Sequence, residues 1–138
     1  MSAPDLKLRG YAAGDEDTAI ELWRRTWQAA YPHIDFAARV NWWRERWRNE
    51  LTPHATIVVA ELRDIMAGFV TVDPSTGYLD QIVVAPEFWG GDVAAHLLDA
   101  VKRISPAKLE LLVNKDNFRA IRFYEKNGFR FVGNDVNP

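Results

Sequence analysis

The chain has no cysteine, only three histidines, and a slight acidic excess that leaves a formal net charge of −2 over 138 residues. Without cysteine there is no disulfide framework, no zinc–thiolate site and no cysteine nucleophile. Any acyl transfer by this chain must therefore avoid a cysteinyl-enzyme intermediate. His33, His54 and His96 stand far apart, so no metal-ligating pattern emerges and no metal is expected. The acidic balance argues against a general nucleic-acid binder, while leaving room for a local basic patch. No apolar run approaches the length of a membrane span, and the first ten residues lack a hydrophobic signal core. Both point to a soluble, cytoplasmic protein with no membrane partner. What the chain does have is apolar material: 48% hydrophobic residues with six tryptophans. That suits one domain over residues 1–138 with a single core.

Patterning divides the chain into short elements. Leu6 to Tyr11 predicts a first strand, and Gly14-Asp15-Glu16-Asp17 a turn with acidic residues suited to a helix N-terminus. Ile20, Trp23 and Trp27 keep helical spacing from Thr18 to about Ala30, and Tyr31-Pro32-His33 ends that helix. A second helix, rich in Arg and Trp, is expected from Phe36 to Leu51. Thr56 to Leu62, Ile65 to Val72 and Tyr78 to Val84 read as a three-stranded antiparallel meander with polar turns. A helix from Asp92 to about Ile104 buries Val93, Leu97, Val101 and Ile104, and Ser105-Pro106 stops it. Leu109 to Val113 is expected as a strand, and Phe129 to Val132 as a final short one.

The stretch from Val113 to Phe129 carries the most information. Asp116 or Asn117 can cap a helix on which Ala120, Ile121 and Tyr124 share a face, with Phe123 beside them. Gly128 supplies a left-handed residue after the helix, and Phe129 can fold back over its last turn. The pattern N-x-x-A-x-x-x-Y-x-x-x-G-F, filled by Asn117, Ala120, Tyr124, Gly128 and Phe129, resembles motif B of the GNAT N-acetyltransferase superfamily. Upstream, V-V-A-P-E-F-W-G-G-D-V-A-A-H-L-L from Val83 to Leu98 resembles motif A, in which a strand ending V-x-P precedes Q/R-x-x-G-x-G/A at a helix start. A glycine turn there lets backbone amides approach a pyrophosphate, and the helix N-terminus adds partial positive charge. Trp89 takes the Q/R position, Gly90 and Gly91 the next two, and Ala94 the last. Asp92 stands where the family has glycine. Its side chain reads either as a helix cap or as a negative charge near an anionic ligand, at a cost on the order of 1 kcal/mol when partly exposed.

The resemblance implies an α/β (α+β), GNAT-like acyl-CoA N-acyltransferase fold: a mixed, mostly antiparallel sheet with splayed central strands flanked by helices. It also implies acetyl-CoA as cosubstrate and direct attack by a primary amine of a small molecule or peptide. The residues it brings to acetyl-CoA are Ile82, Val83 and Val84 on the strand, Trp89, Gly90, Gly91, Asp92, Val93 and Ala94 on the loop and helix start, and Asn117, Ala120 and Tyr124 on motif B. Tyr124 is the candidate general acid for the departing thiolate. Asn117 reads equally as a helix cap. The amine must lose a proton before it attacks, since an alkylammonium has a pKa of about 10. Asp80 is one candidate base, with a solvated strand residue as the plain reading. Glu110, in L-E-L-L-V, is the other: its pKa would be raised if buried, and it would be an edge charge if not. His96 reads as a surface or packing residue.

On the substrate side, Trp23, Trp27, Tyr31, Phe36, Trp42, Trp43 and Trp47 crowd among six arginines. Most should be core, with the arginines as a solvated face. An aromatic pocket rimmed by arginine is the sharper reading, with Trp27, Tyr31 and His33 as candidate acceptor contacts. A GNAT-like domain that binds CoA or a partner without catalysis is the alternative to an enzyme. Ten residues follow Gly128, so a second copy in a homodimer is a further expectation for the sheet edge.

Overall fold

The computed structural model describes residues 5–133. Strands β1 (Leu6–Gly10), β2 (Thr56–Leu62), β3 (Ile65–Asp73) and β4 (Tyr78–Val84) form a four-stranded antiparallel sheet in that order. The expected meander is present, with β1 added to its edge. Helix α1 (Glu16–Ala30) runs as expected. The second helix is instead broken up: a 3₁₀ turn at Ala37–Arg39, α2 (Val40–Arg46), a π-helical turn at Trp47–Leu51, then α3 (Thr52–His54). Helices α4 (Val93–Ile104) and α5 (Phe118–Lys126) complete the set.

Alternation in the strands sends side chains to two faces, and each face has its own core. Met66 and Phe69 of β3 join Ile20, Trp23, Trp43 and Trp47 under α1 and α2. Ala67, Val70 and Val72 join Leu97, Leu98 and Val101 under α4. The tryptophans form the first core: Trp43 and Trp47 are fully buried, and Trp23 stacks on Trp43 at 4.7 Å. Trp47 donates its indole N–H to the Tyr11 hydroxyl at 3.0 Å, so a polar atom is buried with its partner. Leu109, Leu111, Phe123 and Phe129 pack partly buried against the second core and seat α5.

Two expected strands did not form among the described residues. Leu109 to Val113 makes only a single parallel bridge, Glu110 to Tyr78. Phe129 to Val132 carries no strand, and Phe131 and Val132 are exposed. The apolar pattern was there. A strand also needs a neighbour to bond, and the first of these segments leaves β4 after one bridge.

Gly77 makes that bridge possible. It has φ +78°, and a Cβ there would lie 2.3 Å from the Lys108 carbonyl oxygen. Its carbonyl accepts from the Glu110 N–H at 2.9 Å.

Candidate active site

The site begins with a slip in the β3–β4 register. Thr71 faces Gln81 but Val72 faces Leu79, so Asp80 is the extra residue of a β-bulge. A bulge changes which backbone groups face the neighbouring strand. Before it, the Leu79 N–H points away from β3 and donates to the Glu110 carbonyl at 2.9 Å. After it, the Gln81 N–H turns toward β3 and meets the Thr71 hydroxyl at 3.1 Å. The Ala85 N–H likewise reaches the Ala67 carbonyl at 2.8 Å. With a period of two, Val83 then faces β3, and Ile82 and Val84 present their N–H and C=O groups to the open edge. Of the three expected backbone groups, Ile82 and Val84 face outward, while Val83 faces β3 and its side chain is buried.

Beyond the Glu110 bridge the next segment makes no further bridge to β4, so among the described residues no strand covers this edge. The Val84 carbonyl accepts from the Trp89 indole N–H at 2.8 Å and from the Thr26 hydroxyl at 3.5 Å. Gly90 adopts φ +85°, and the Gly91 N–H bonds the Phe88 carbonyl at 3.3 Å. Asp92 occupies the N-cap position of α4 but makes no side-chain cap bond. Its carboxylate instead lies 3.4 Å from His96 Nε2. The capping reading of Asp92 is therefore corrected: the side chain makes no cap bond and lies toward His96, one turn along the helix. The first-turn N–H groups, Val93 and Ala94 included, keep their donors free of any side-chain cap.

Motif B folds as its sequence reads. Asn117 Oδ1 accepts from the Ala120 N–H at 3.2 Å and caps α5. Gly128 takes φ +94°, and the Phe129 N–H donates to the Tyr124 carbonyl at 2.9 Å. The Tyr124 ring lies between Phe123 and Phe129, with centroids at 5.3 and 5.5 Å. Burial pushes its hydroxyl well above the usual phenol range. Tyr124, Leu111 and Asn114 help line a cavity of about 1050 Å³ between α5 and the 105–115 segment. None of residues 82–94 lines that cavity. The β4 edge and this cavity are therefore separate features among the described residues.

The two candidate bases differ in setting. Asp80 accepts two bonds from Arg46, at 2.6 and 2.9 Å, with its side chain 13% exposed. Arg46 also lies over the Trp43 ring. Glu110 is not buried: its side chain is 55% exposed and lies 3.0 Å from Lys108 Nζ. It sits at the Tyr78 end of β4, roughly 20 Å along the strand from Val84 at about 3.4 Å per residue.

On the acceptor side, Trp27 stacks on Tyr31 at 5.7 Å, and His33 meets Tyr31 edge-on at 6.4 Å. The Tyr31 hydroxyl accepts from Asn114 Nδ2 at 3.2 Å, so the end of α1 touches the diverging segment. Of the six arginines, Arg39 lies over the Phe36 ring at 5.2 Å, and the other five hold carboxylates. Arg24 pairs with Glu21, Arg25 with Glu87, Arg44 and Arg48 with Glu16, and Arg46 with Asp80. Asn114, Thr26 and Arg46 were not singled out in the sequence. Each acts on a group far along the chain, and no local pattern marks them.

An acetyltransferase (GNAT) family model matches residues 17–129. The chain belongs to that family. This acetyltransferase is 28% identical, over 93% of its length and 86% of the relative's, to the peptidyl-lysine N-acetyltransferase YjaB of Salmonella typhimurium. Its fold matches the PaiA N-acetyltransferase of Thermoplasma acidophilum, solved with coenzyme A, at TM-score 0.80 and 21% identity over 98% and 94% of the two chains. It also matches the aminoglycoside N-acetyltransferase AAC(6')-Iy, solved with CoA, at TM-score 0.65 and 18% identity over 96% and 93%. A four-stranded antiparallel sheet flanked by helices, an α+β arrangement, is the fold seen in this chain. The acetyltransferase is an enzyme of the acyltransferase class. Among its described residues no helix is long and apolar enough to cross a membrane, and no group of side chains could hold a metal ion.

Proposed function

We propose that this acetyltransferase moves an acetyl group from acetyl-CoA to a primary amine of a small molecule or peptide, by direct attack in a ternary complex in the cytoplasm. The observation that carries this reading is the bulge at Asp80, which turns Ile82 and Val84 to the edge of β4 that no strand covers among the described residues. Acetyl-CoA, when bound, supplies an acetyl group already activated as a thioester. The residues present fit it. Gly90 and Gly91 shape a turn, and the uncapped amides at Asp92, Val93 and Ala94 suit the pyrophosphate. The Asp92 carboxylate opposes that charge. The outward N–H and C=O of Ile82 and the N–H of Val84 would pair with the pantetheine amides and hold the acetyl carbonyl, the Val84 carbonyl being already bonded by Trp89. Tyr124, whose raised pKa keeps its proton, gives that proton to the departing sulfur. Asn117 and Ala120 set the start of the helix that carries it.

Asp80 is held by Arg46 in this structure, and it takes the amine's proton only if water replaces that pairing. Trp27, Tyr31 and His33 line the acceptor side. Peptide lysine is the acceptor named for YjaB and an aminoglycoside the one named for AAC(6')-Iy. Both are primary or amino-sugar amines, which supports the class without choosing a member.

The test is calorimetric titration with acetyl-CoA, followed by a screen of amines scored by thiol release. Binding in the micromolar range, with release that depends on an added amine and falls in Tyr124→Phe, is the expected result. An absence of binding would overturn the reading.

A further inference from the structure

Five cations stand on α5 and just beside it. Lys115, Arg119, Arg122, Lys126 and Arg130 are all exposed, and none pairs with a carboxylate among the described residues. Most arginines of α1 and α2, by contrast, are committed to Asp or Glu. Within the α5 group Arg119 alone is held in place, its guanidinium 5.1 Å from the centre of the Trp89 ring.

Trp89 is itself fixed by its indole N–H, which bonds the Val84 carbonyl at 2.8 Å. The ring is therefore a platform tied to the end of β4, and Arg119 rests on it from the first turn of α5. The Arg119 guanidinium makes no side-chain hydrogen bond among the described residues, so its N–H donors are free, and such donors match phosphate oxygens. Trp89 leads directly into Gly90, Gly91 and the start of α4. A cation is needed there because Asp92 brings a negative charge to the same turn. Arg119 supplies one from another helix.

We propose that Arg119, held on the Trp89 ring, binds the pyrophosphate of CoA, and that Trp89 is its positioning residue. The proposal rests on the acetyl-CoA reading above. It assigns the pyrophosphate, not the 3′-phosphate, because the platform adjoins the glycine turn.

The experiment titrates wild-type protein, Arg119→Gln, Trp89→Ala and the double variant with CoA and with 3′-dephospho-CoA. Thermal unfolding of each variant confirms folding. Arg119→Gln should bind both ligands roughly tenfold more weakly, as expected for one charge-assisted contact. Trp89→Ala should lose a similar factor, and the double variant little more than either single one, because both remove the same interaction. Trp89→Phe, which keeps a ring under the guanidinium, should retain most of the affinity.

Unchanged affinity in Arg119→Gln would overturn the proposal while leaving the acetyl-CoA reading intact. A loss seen with CoA but not with dephospho-CoA would move the contact to the 3′-phosphate and overturn the assignment made here. Fully additive losses would refute the role given to Trp89. Wild-type protein that binds neither ligand would sink the acetyl-CoA reading itself, and this proposal with it.

Discussion

At the scale of single residues, Tyr124 offers the sharpest test of chemistry. Its ring is packed between two phenylalanines, and burial holds its hydroxyl in the neutral form above the usual phenol range. Tyr124→Phe removes one oxygen and leaves that packing in place. Turnover should fall about 100-fold, the low end for a lost general acid, with the KM for acetyl-CoA little changed. Because its pKa is raised, the phenol stays protonated through pH 10, so wild-type kcat should show no alkaline loss from this group below that. The sign for stability follows. The unfolded tyrosine ionises near pH 10 and the folded one does not, so its contribution is whole below pH 10 and declines above it. Thermal melts of wild type and Tyr124→Phe between pH 9 and 11 should diverge in that direction. Asp92→Gly removes a charge without breaking a cap bond, since none exists. Affinity for CoA should rise severalfold, on the order of 1 kcal/mol, and calorimetry reads it directly. Motif B residues were legible in the sequence because cap, face and stop are all local. The partner of Asp80 was not: Arg46 lies 34 residues away, and an arginine on a helix reads as a solvated one.

At the scale of elements, the bulge and the bridge work together. The bulge turns Ile82 and Val84 outward, and the bridge through Gly77 fixes where the neighbouring segment begins to leave β4. Gly77→Ala meets both a positive φ and the Lys108 backbone at 2.3 Å. It should destabilise the fold by about 1–3 kcal/mol, measured by denaturant titration, and lower activity through the altered splay. Asp80→Asn removes the better buried of Arg46's two carboxylate partners and leaves it only the exposed Glu50 at 3.0 Å. The expected outcome is a loss of about 1–3 kcal/mol in stability. A fall in kcat well beyond what that loss explains would return Asp80 to the role of base. The meander was legible because alternation and turn residues mark both strands and connections. The segments at Leu109–Val113 and Phe129–Val132 carry the same apolar signal. Whether such a segment is a strand depends on hydrogen bonds to a neighbour, which its own residues do not encode.

At the scale of the whole molecule, charge and packing are both unevenly divided. Between Lys102 and Arg130 there are eight cations and three carboxylates, a net +5 within a chain of net −2. The average balance set aside a general nucleic-acid binder, but it concealed this local excess around α5. Affinity for CoA should therefore fall as salt rises from about 0.05 to 0.5 M, where the screening length drops well below 10 Å. Five of the six tryptophans lie on α1, α2 and the π turn, on the opposite face of the sheet from α4. The hydrophobic count announced a core. It did not announce two cores, because which face a strand residue joins is set by pairing.

Trp89 stands apart from that group, bonded to Val84 and covered by Arg119. The protein therefore carries two separate optical reporters. Trp23 and Trp43, nearly parallel at 9° and 4.7 Å apart, are close enough for coupled electronic transitions, which would give the folded state a paired signal in circular dichroism. Emission from Trp89 would instead follow events at the glycine turn. Difference spectra against Trp89→Phe would separate ligand arrival from unfolding in one sample, with no added label.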